Sequence, residues 1–204
     1  MLFRSDGAIT VAAISGTDGG GDTTDVTINS GTANTSLTGA LGTDLGNVTV
    51  TSTGVINLAN SITTAAGAVD INGAVELQTA DIVITTANGT VDFSSTIDNT
   101  AGQTNNLTIS SGSGAVGLGA SDKHIGTTTA IGGLTINDAT GDGDGDITIR
   151  GNIGSKGDSA AAGAGTVTIG NGATGTLDFD GTAYNTGAAT YTGESVTLSG
   201  EDVS

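Results

Sequence analysis

Short strand cores of one type recur along the chain at a nearly fixed spacing. Each core reads apolar, polar, apolar, which is the period-two pattern of a half-buried β-strand. The first four cores begin at Val26, Val48, Val69 and Val91, and are therefore 22, 21 and 22 residues apart. A fixed period of this length is typical of repeat architectures. Later cores with the same pattern are residues 107–109, 134–136, 147–149, 167–169, 177–179 and 196–198.

Two all-β architectures compete for this pattern. The Asn-Gly pairs at residues 72–73, 88–89 and 171–172 are typical of antiparallel hairpins in a sandwich. A sandwich core would use aromatic side chains to fill volume, yet aromatic residues are 2% of the chain. Additional cores at 56–58, 75–77 and 82–84 put two or three strands in each period. We therefore predict a parallel, right-handed β-helix solenoid with rungs of about 20–22 residues.

Such a solenoid would stack nine or ten rungs at ~4.8 Å each, giving a rod ~45 Å long. A longer repeat is superimposed, because residues 45–77 and 131–179 share strand cores in the same order. In that alignment the acidic Gly-Asp run at residues 141–146 of the second copy is an insertion at Ser52–Gly54 of the first. A scaffold that lacks the loop in one copy would not need it for folding.

Composition excludes several classes of partner. The chain has four Lys plus Arg against 21 Asp plus Glu, a net charge of −17. Nucleic acids and anionic membrane surfaces are bound through basic side chains, so neither partner is expected. No apolar run is long enough to insert into a membrane. The absence of cysteine excludes disulfides and thiolate metal sites, and it is compatible with export.

The first five residues read Met-Leu-Phe-Arg-Ser and do not resemble a signal peptide. They match the translation of the end of a widely used sequencing adapter. We therefore expect residues 1–5 to be a non-native leader. Residues 6–204 would then be a single β-solenoid, and a fragment of a longer repeat protein. Uncapped strand edges at both ends would cause end-to-end self-association.

A Gly-Asp run places Asp142, Asp144 and Asp146 directly before the core at 147–149. Calcium prefers such oxygen ligands, so these three aspartates are candidate metal ligands. The EF-hand pattern fails, because Ile147 replaces its glycine and Ile153 replaces its bidentate glutamate. The alternative is a solvated turn on the scaffold. No cofactor other than calcium is suggested.

Two positions would carry any catalysis. Arg150 follows the acidic run, and His124 is the sole histidine, next to Asp122 and Lys123. Together with acidic residues, either could serve a polysaccharide lyase built on a β-helix. Both are better explained as surface residues, Arg150 offsetting nearby aspartates and His124 lying in a loop, so we expect no enzymatic activity and assign no catalytic residue.

A third class of function is binding to an ice or crystal surface through outward threonines in register. Asp70, Asp92 and Asp178 would interrupt the series. The candidate threonines are Thr27, Thr49, Thr108, Thr135, Thr148, Thr168 and Thr197.

The stretch VDINGAVELQTADIVITTANGTVDFSSTIDNTAGQTNNLTISSGSGAVGLGA, followed by TAIGGLTIND, resembles the repeats of large bacterial surface proteins. These are the filamentous-haemagglutinin-like adhesins and related β-strand-repeat proteins, and the resemblance covers residues from about 45 to 200. It implies a secreted or cell-surface β-helix that holds a binding tip away from the cell. The implied partners are host or surface carbohydrates and proteins. We therefore predict a non-enzymatic structural module, with a lyase-like enzyme or a threonine-ladder surface binder as alternatives.

Overall fold

The computed structural model describes residues 1–16, 24–42, 44–137, 145–154, 164–171 and 174–199. All regular secondary structure in these ranges is β-strand. Pairing between successive passages of the chain is parallel throughout the named strands. The structure is a β-solenoid, which confirms the predicted fold class and rules out the antiparallel sandwich.

Each passage of the chain runs over three faces, and we call one complete passage a rung. Face 1 contains β1 (Leu2–Arg4), β4 (Thr24–Asn29), the first part of β7 (Leu45–Leu58), the first part of β9 (Val69–Leu77), β11 (Val91–Phe93), β14 (Val116–Leu118), β16 (Ile147–Ile149), β18 (Thr176–Phe179) and β20 (Ser195–Leu198).

The other two faces follow in chain order. Face 2 contains β2 (Ile9–Val11), β5 (Thr35–Leu37), the second parts of β7 and β9, β12 (Ile97–Asn99), and then the bridging residues Ile125, Ile153 and Tyr184. Face 3 contains β3 (Ile14–Ser15), β6 (Leu41–Gly42), β8 (Ile62–Thr64), β10 (Ile82–Thr86), β13 (Leu107–Ser110), β15 (Ile131–Ile136), β17 (Ala164–Ile169) and β19 (Ala189–Tyr191).

The interior is a set of aliphatic columns that run along the rod axis. On face 1, Val26, Val48, Val69, Val91 and Val116 stack in register, and none is more than 2% exposed. Full burial of a side chain of this size contributes about 1.5–3 kcal/mol. Because adjacent rungs place the same residue type at the same depth, the sequence period fixes the strand register.

The solenoid has about eight turns, fewer than the nine or ten expected from the sequence. The difference arises because the later rungs are longer. Val91 to Val116 spans 25 residues, and the next two rungs take 31 and 30 residues. The predicted rung of 20–22 residues therefore holds for the three rungs between Val26 and Val91, whereas the first rung takes 25 residues and the last takes 19.

A column of glycines forms the corner that leads from face 3 into face 1. Gly67, Gly89, Gly114 and Gly145 each lie against the backbone of the corner glycine one rung before, with Gly46 first in the column. A Cβ atom at any of these four positions would overlap that backbone. Glycine is required here because the chain packs backbone to backbone at the corner.

Candidate functional site

The acidic run was the first candidate site, and the structure describes one of its three aspartates. Asp142 and Asp144 lie outside the described residues. Asp146 is exposed, and its Oδ1 accepts a hydrogen bond of 2.8 Å from the backbone N–H of Thr176 on the next rung. In the described residues no group of three or more candidate ligands could hold a metal ion. The calcium prediction therefore stays a prediction.

Asp146 makes a hydrogen bond to the next rung of a kind that earlier rungs also make. Asp25 Oδ1 accepts from the N–H of Asn47 at 2.7 Å, and Asn47 Oδ1 accepts from Ala68 at 2.9 Å. In each case an Asp or Asn just before a face-1 core bonds to the backbone of the next rung. Asp146 thus has a structural task that needs no metal.

Gly145 adds to this interpretation, because it is a member of the corner column. The pair Gly145–Asp146 therefore corresponds to Gly46–Asn47, and both precede a core with Thr in the middle. The recurring sequence Gly-Asp/Asn-Ile/Val-Thr-Ile/Val was visible before the structure was known. It would have identified the end of the acidic run as a corner of the scaffold.

The longer repeat inferred from the sequence is wrong in its structural alignment. Its first copy begins with β7 on face 1, whereas its second copy begins with β15 on face 3. Ser52–Gly54 lies within β7, between faces 1 and 2, whereas the acidic run falls in the sequence between β15 on face 3 and β16 on face 1. The two segments are therefore not equivalent, and the argument that one copy dispenses with the acidic loop fails. The alignment matched strand cores, which look alike on all faces.

Arg150 forms an ion pair with Asp92, two rungs away along the rod. The guanidinium Nη2 meets Asp92 Oδ1, and the side chains are 34% and 36% exposed. The outward position between them on face 1 is Gly117. A Cβ at Gly117 would overlap the Arg150 guanidinium and lie 2.6 Å from Asp92 Oδ1. Glycine thus leaves the gap across which the arginine reaches.

A second carboxylate stands beside this pair. Asp70 is the register partner of Asp92 on the preceding rung, so two like charges are stacked on neighbouring strands. Partial burial, and then the charge of Asp92, raise the pKa of Asp70 above its usual 3.8. The sequence placed Arg150 near the acidic run, but the structure pairs it with Asp92 on face 1.

A shallow cavity of ≈390 Å³ lies around this pair, lined in part by Thr90, Val116, Thr148 and the two charged residues. Arg150 Nε is buried and has no hydrogen-bond partner among the described residues. A guanidinium offers only N–H donors, and one of those on Arg150 is taken up by the Asp92 carboxylate. The arrangement suits charge neutralisation or a weak polar contact.

His124 is oriented as a scaffold residue. Its Nδ1 accepts a hydrogen bond of 3.1 Å from the backbone N–H of Asn152 on the following rung. The neutral ring then carries its proton on Nε2, where it can donate but not accept. Asp122 pairs with Lys123 at 3.0 Å, and this contact lowers the pKa of Asp122. In this arrangement Nδ1 of His124 is used to hold the following rung.

The seven candidate threonines do not share one face. Thr108, Thr135 and Thr168 stack in register on face 3, and Thr190 extends the column. The other four lie on face 1, where Asp70, Asp92, Gly117 and Asp178 interrupt them; they are Thr27, Thr49, Thr148 and Thr197.

The fold defines the class of the protein, a parallel β-solenoid of stacked rungs. No family model, curated protein or solved structure matches the chain. The resemblance to filamentous-haemagglutinin-like adhesins therefore stays a prediction. No helix that could cross a membrane is present in the part of the chain that the structure describes.

Proposed function

We propose that the chain is a non-enzymatic structural module of a secreted or cell-surface, adhesin-like repeat protein. The observation that supports this proposal is the unbroken stack of in-register rungs on face 1, from β1 to β20. Each inner rung bonds to a rung on either side, and an aliphatic interior fills the space between the faces. A rod of this kind resists bending because bending would separate strands along one face.

The outer surface supports the same proposal. Polar side chains of neighbouring rungs bond to one another, as where Asn57 Nδ2 donates to Ser36 Oγ at 3.2 Å and Gln78 Nε2 donates to Asn57 Oδ1 at 2.8 Å. The net charge of −17 keeps separate copies apart in solution. Such a surface suits a spacer that presents a binding site elsewhere in the parent protein.

A test places the module between a cell-surface anchor and a binding domain of known specificity. Cells are then held to the immobilised ligand under increasing shear flow. The matched control carries Ile71→Asp, which puts a charge into the interior without changing the length of the module. We expect adhesion to withstand higher shear with the folded rod. Equal adhesion at equal surface display would contradict a mechanical role.

The lyase alternative has a direct test on the same protein. A panel of acidic polysaccharides is incubated with the chain and with Arg150→Gln, and cleavage is followed by the absorbance of the unsaturated product. We expect no cleavage by either protein. Cleavage that Arg150→Gln abolishes, at unchanged thermal stability, would replace the structural proposal by an enzymatic one.

The threonine column on face 3 supports a second candidate, binding to a regular surface such as ice. Its hydroxyls repeat at the rung spacing of ~4.8 Å. Thermal hysteresis on freezing measures this property. If the column binds ice, Thr135→Asp should abolish the hysteresis, whereas Thr49→Asp on face 1 should preserve it. Absence of hysteresis in the unaltered chain would exclude this candidate.

A further inference from the structure

Asn88 and Gly89 form an Asn-Gly pair at the corner between β10 on face 3 and β11 on face 1. The Asn88 side chain is exposed, whereas Gly89 is buried as a member of the corner column. The chain contains two further Asn-Gly pairs, at residues 72–73 and 171–172. The first of these lies inside β9, and Gly172 lies outside the described residues. Of the two pairs that the structure describes in full, only the one at Asn88 lies outside a strand.

An asparagine that precedes glycine can lose its side-chain amide without a catalyst. The backbone nitrogen of the glycine attacks Cγ of the asparagine, a new C–N bond forms, and ammonia leaves with the proton of the attacking N–H. Glycine favours this attack because it has no side chain to restrict the backbone. The product is a five-membered succinimide ring. Water then opens the ring to aspartate, or to isoaspartate, whose main chain runs through the former side-chain carbon.

The attacking group, the N–H of Gly89, has no competing contact. It makes no hydrogen bond to any group in the part of the chain that the structure describes. The equivalent glycine of the next rung, Gly114, donates its N–H to the carbonyl of Ser111 at 3.0 Å. A bonded amide must break its hydrogen bond before the nitrogen can attack, and Gly89 does not have this barrier.

The group under attack, the side-chain carbonyl of Asn88, is polarised by the next rung. Asn88 Oδ1 accepts a hydrogen bond of 3.0 Å from the backbone N–H of Ser113 and one of 2.8 Å from its hydroxyl. Negative charge develops on this oxygen when the nitrogen attacks Cγ. Donors that already point at such an oxygen stabilise the charge as it develops. Ser113 is therefore placed as an oxyanion hole for the amide of Asn88.

Asn72 precedes a glycine in a different environment. Among the described residues its Oδ1 accepts one hydrogen bond, of 3.1 Å from the Ser94 hydroxyl. Its backbone belongs to β9, and parallel strands have a ψ of about +115°. Closing the ring requires the glycine nitrogen to rotate towards the asparagine side chain, away from this extended conformation. The strand should therefore protect Asn72 as long as the chain is folded.

We propose that Asn88 is a site of spontaneous deamidation in the folded chain, promoted by the two donors of Ser113. The co-reactant is water, and the products are ammonia and an aspartyl or isoaspartyl residue at position 88. The modification is covalent, needs no enzyme and changes the rod at a single corner.

The two products would affect this corner differently. An aspartate keeps the oxygen that accepts from Ser113, and a charged acceptor strengthens both hydrogen bonds. An isoaspartate instead adds a methylene group to the main chain. Gly89 lies against Gly67, and Gly114 lies against Gly89, so closely that a Cβ atom would overlap the neighbouring backbone. The longer main chain has no room in this column, so isoaspartate should loosen the contact between rungs.

The test keeps the complete chain in mildly alkaline buffer made with heavy-oxygen water. Peptide mapping by mass spectrometry then locates each new carboxyl group, because opening of the ring adds one oxygen from the solvent. A parallel sample in urea is the control, since Asn72 and Asn88 both precede glycine once the fold is removed. The variant Ser113→Ala removes the hydroxyl donor at an exposed position and keeps the backbone donor.

We expect the folded chain to gain label at Asn88 and not at Asn72, and the unfolded chain to gain it at both. Ser113→Ala should slow the labelling of Asn88 in the folded chain and leave it unchanged in urea, with circular dichroism confirming that the variant is folded. Equal labelling of the two asparagines in the folded chain, or labelling of Asn88 only in urea, would overturn the proposal. Faster labelling in folded Ser113→Ala would also overturn it, because Ser113 would then hold the amide away from Gly89.

Discussion

Asp70 is partly buried and lies beside the Asp92 carboxylate on the neighbouring strand, and these two effects make stability depend on pH. The pKa of Asp70 is raised above 3.8 in the folded chain. The folded state therefore holds this proton more tightly than the unfolded chain does. The stabilisation is complete below pH 3.8 and is lost as the pH rises through the folded pKa.

Replacing Asp70 by Asn should therefore stabilise the protein at neutral pH. Like charges directly opposite on paired strands cost about 0.2–1 kcal/mol, and Asp70→Asn removes that cost. Urea unfolding at pH 7 and at pH 3 measures the difference, which should vanish at the lower pH. Asp178→Asn is the matched control, since its register partners are Thr148 and Thr197. A gain at both positions would show that the amide itself is stabilising.

Asp146 allows the scaffold and calcium interpretations to be separated by one pair of variants. Asp146→Asn keeps an oxygen that can accept from Thr176 N–H, whereas Asp146→Ala removes it. If the role is structural, Ala costs about 0.5–1.5 kcal/mol and Asn costs little. The melting temperature is measured with calcium and with EDTA for all three proteins. A rise with calcium that Asp146→Asn abolishes would instead make this aspartate a ligand.

Three aromatic side chains pack together at the last rungs of the rod. Phe179 packs edge-to-face on Tyr184 and Tyr191, with ring centroids 5.2 and 4.9 Å apart. The Tyr184 hydroxyl accepts a hydrogen bond of 2.6 Å from Gly181 N–H. Burial raises the pKa of Tyr184 from 10.0 to about 12. The Tyr184 hydroxyl thus satisfies the backbone N–H of the buried Gly181.

Tyr184→Phe should lower stability at neutral pH by about 1–3 kcal/mol, because the buried Gly181 N–H loses its acceptor. The tyrosine also makes the folded chain lose stability as the pH rises from 10 through about 12, and the variant should lose less over that range. Urea unfolding at neutral and alkaline pH measures both effects. Tyr191→Phe is the control for the cost at neutral pH, since Tyr191 is 36% exposed and the Gly181 N–H bonds to Tyr184 instead. Equal costs for the two variants would contradict the role given to the Gly181 contact.

The strand cores could be predicted because a half-buried strand imposes its period on the sequence. All thirteen strand cores identified in the sequence lie within strands of the structure. The face of each core could not be predicted, since the inward residues on the three faces are the same types. Val48 and Leu134 begin similar sequences but lie on faces 1 and 3. Because of this ambiguity, residues 45–77 were aligned with residues 131–179 across different faces. For the same reason the seven threonines were expected on one face.

The candidate site was harder to predict, because its contacts join distant rungs. The spacing of the early rungs gives the stacking of Asp70 on Asp92, but Arg150 is 58 residues from Asp92. Longer later rungs shift the register, and sequence spacing no longer shows which residues meet. Gly117 was the available signal, as a glycine at an outward strand position commonly marks a close approach.

Along the whole rod, the cost of a core substitution should depend on its distance from the ends. Ile71 and Leu198 occupy the same inward column, but Ile71 is fully buried and Leu198 is 55% exposed. Ile71→Ala should cost about 2–5 kcal/mol. Leu198→Ala should change stability by about 0.5 kcal/mol or less. Urea unfolding measures both, and similar costs would mean that the last rung is as well packed as the centre.

Hydrogen exchange should show the same gradient along the rod. Each rung contacts only its neighbours, so a terminal rung is held on one side and an inner rung on two. Opening can therefore begin at β20 and β19 and move inward, while β9 and β11 open only with most of the molecule. We expect amide protection to rise from the C-terminal strands towards the central ones. Uniform protection would mean that the rungs unfold as one cooperative unit, and a minimum in the centre would place the weakest junction at Gly117.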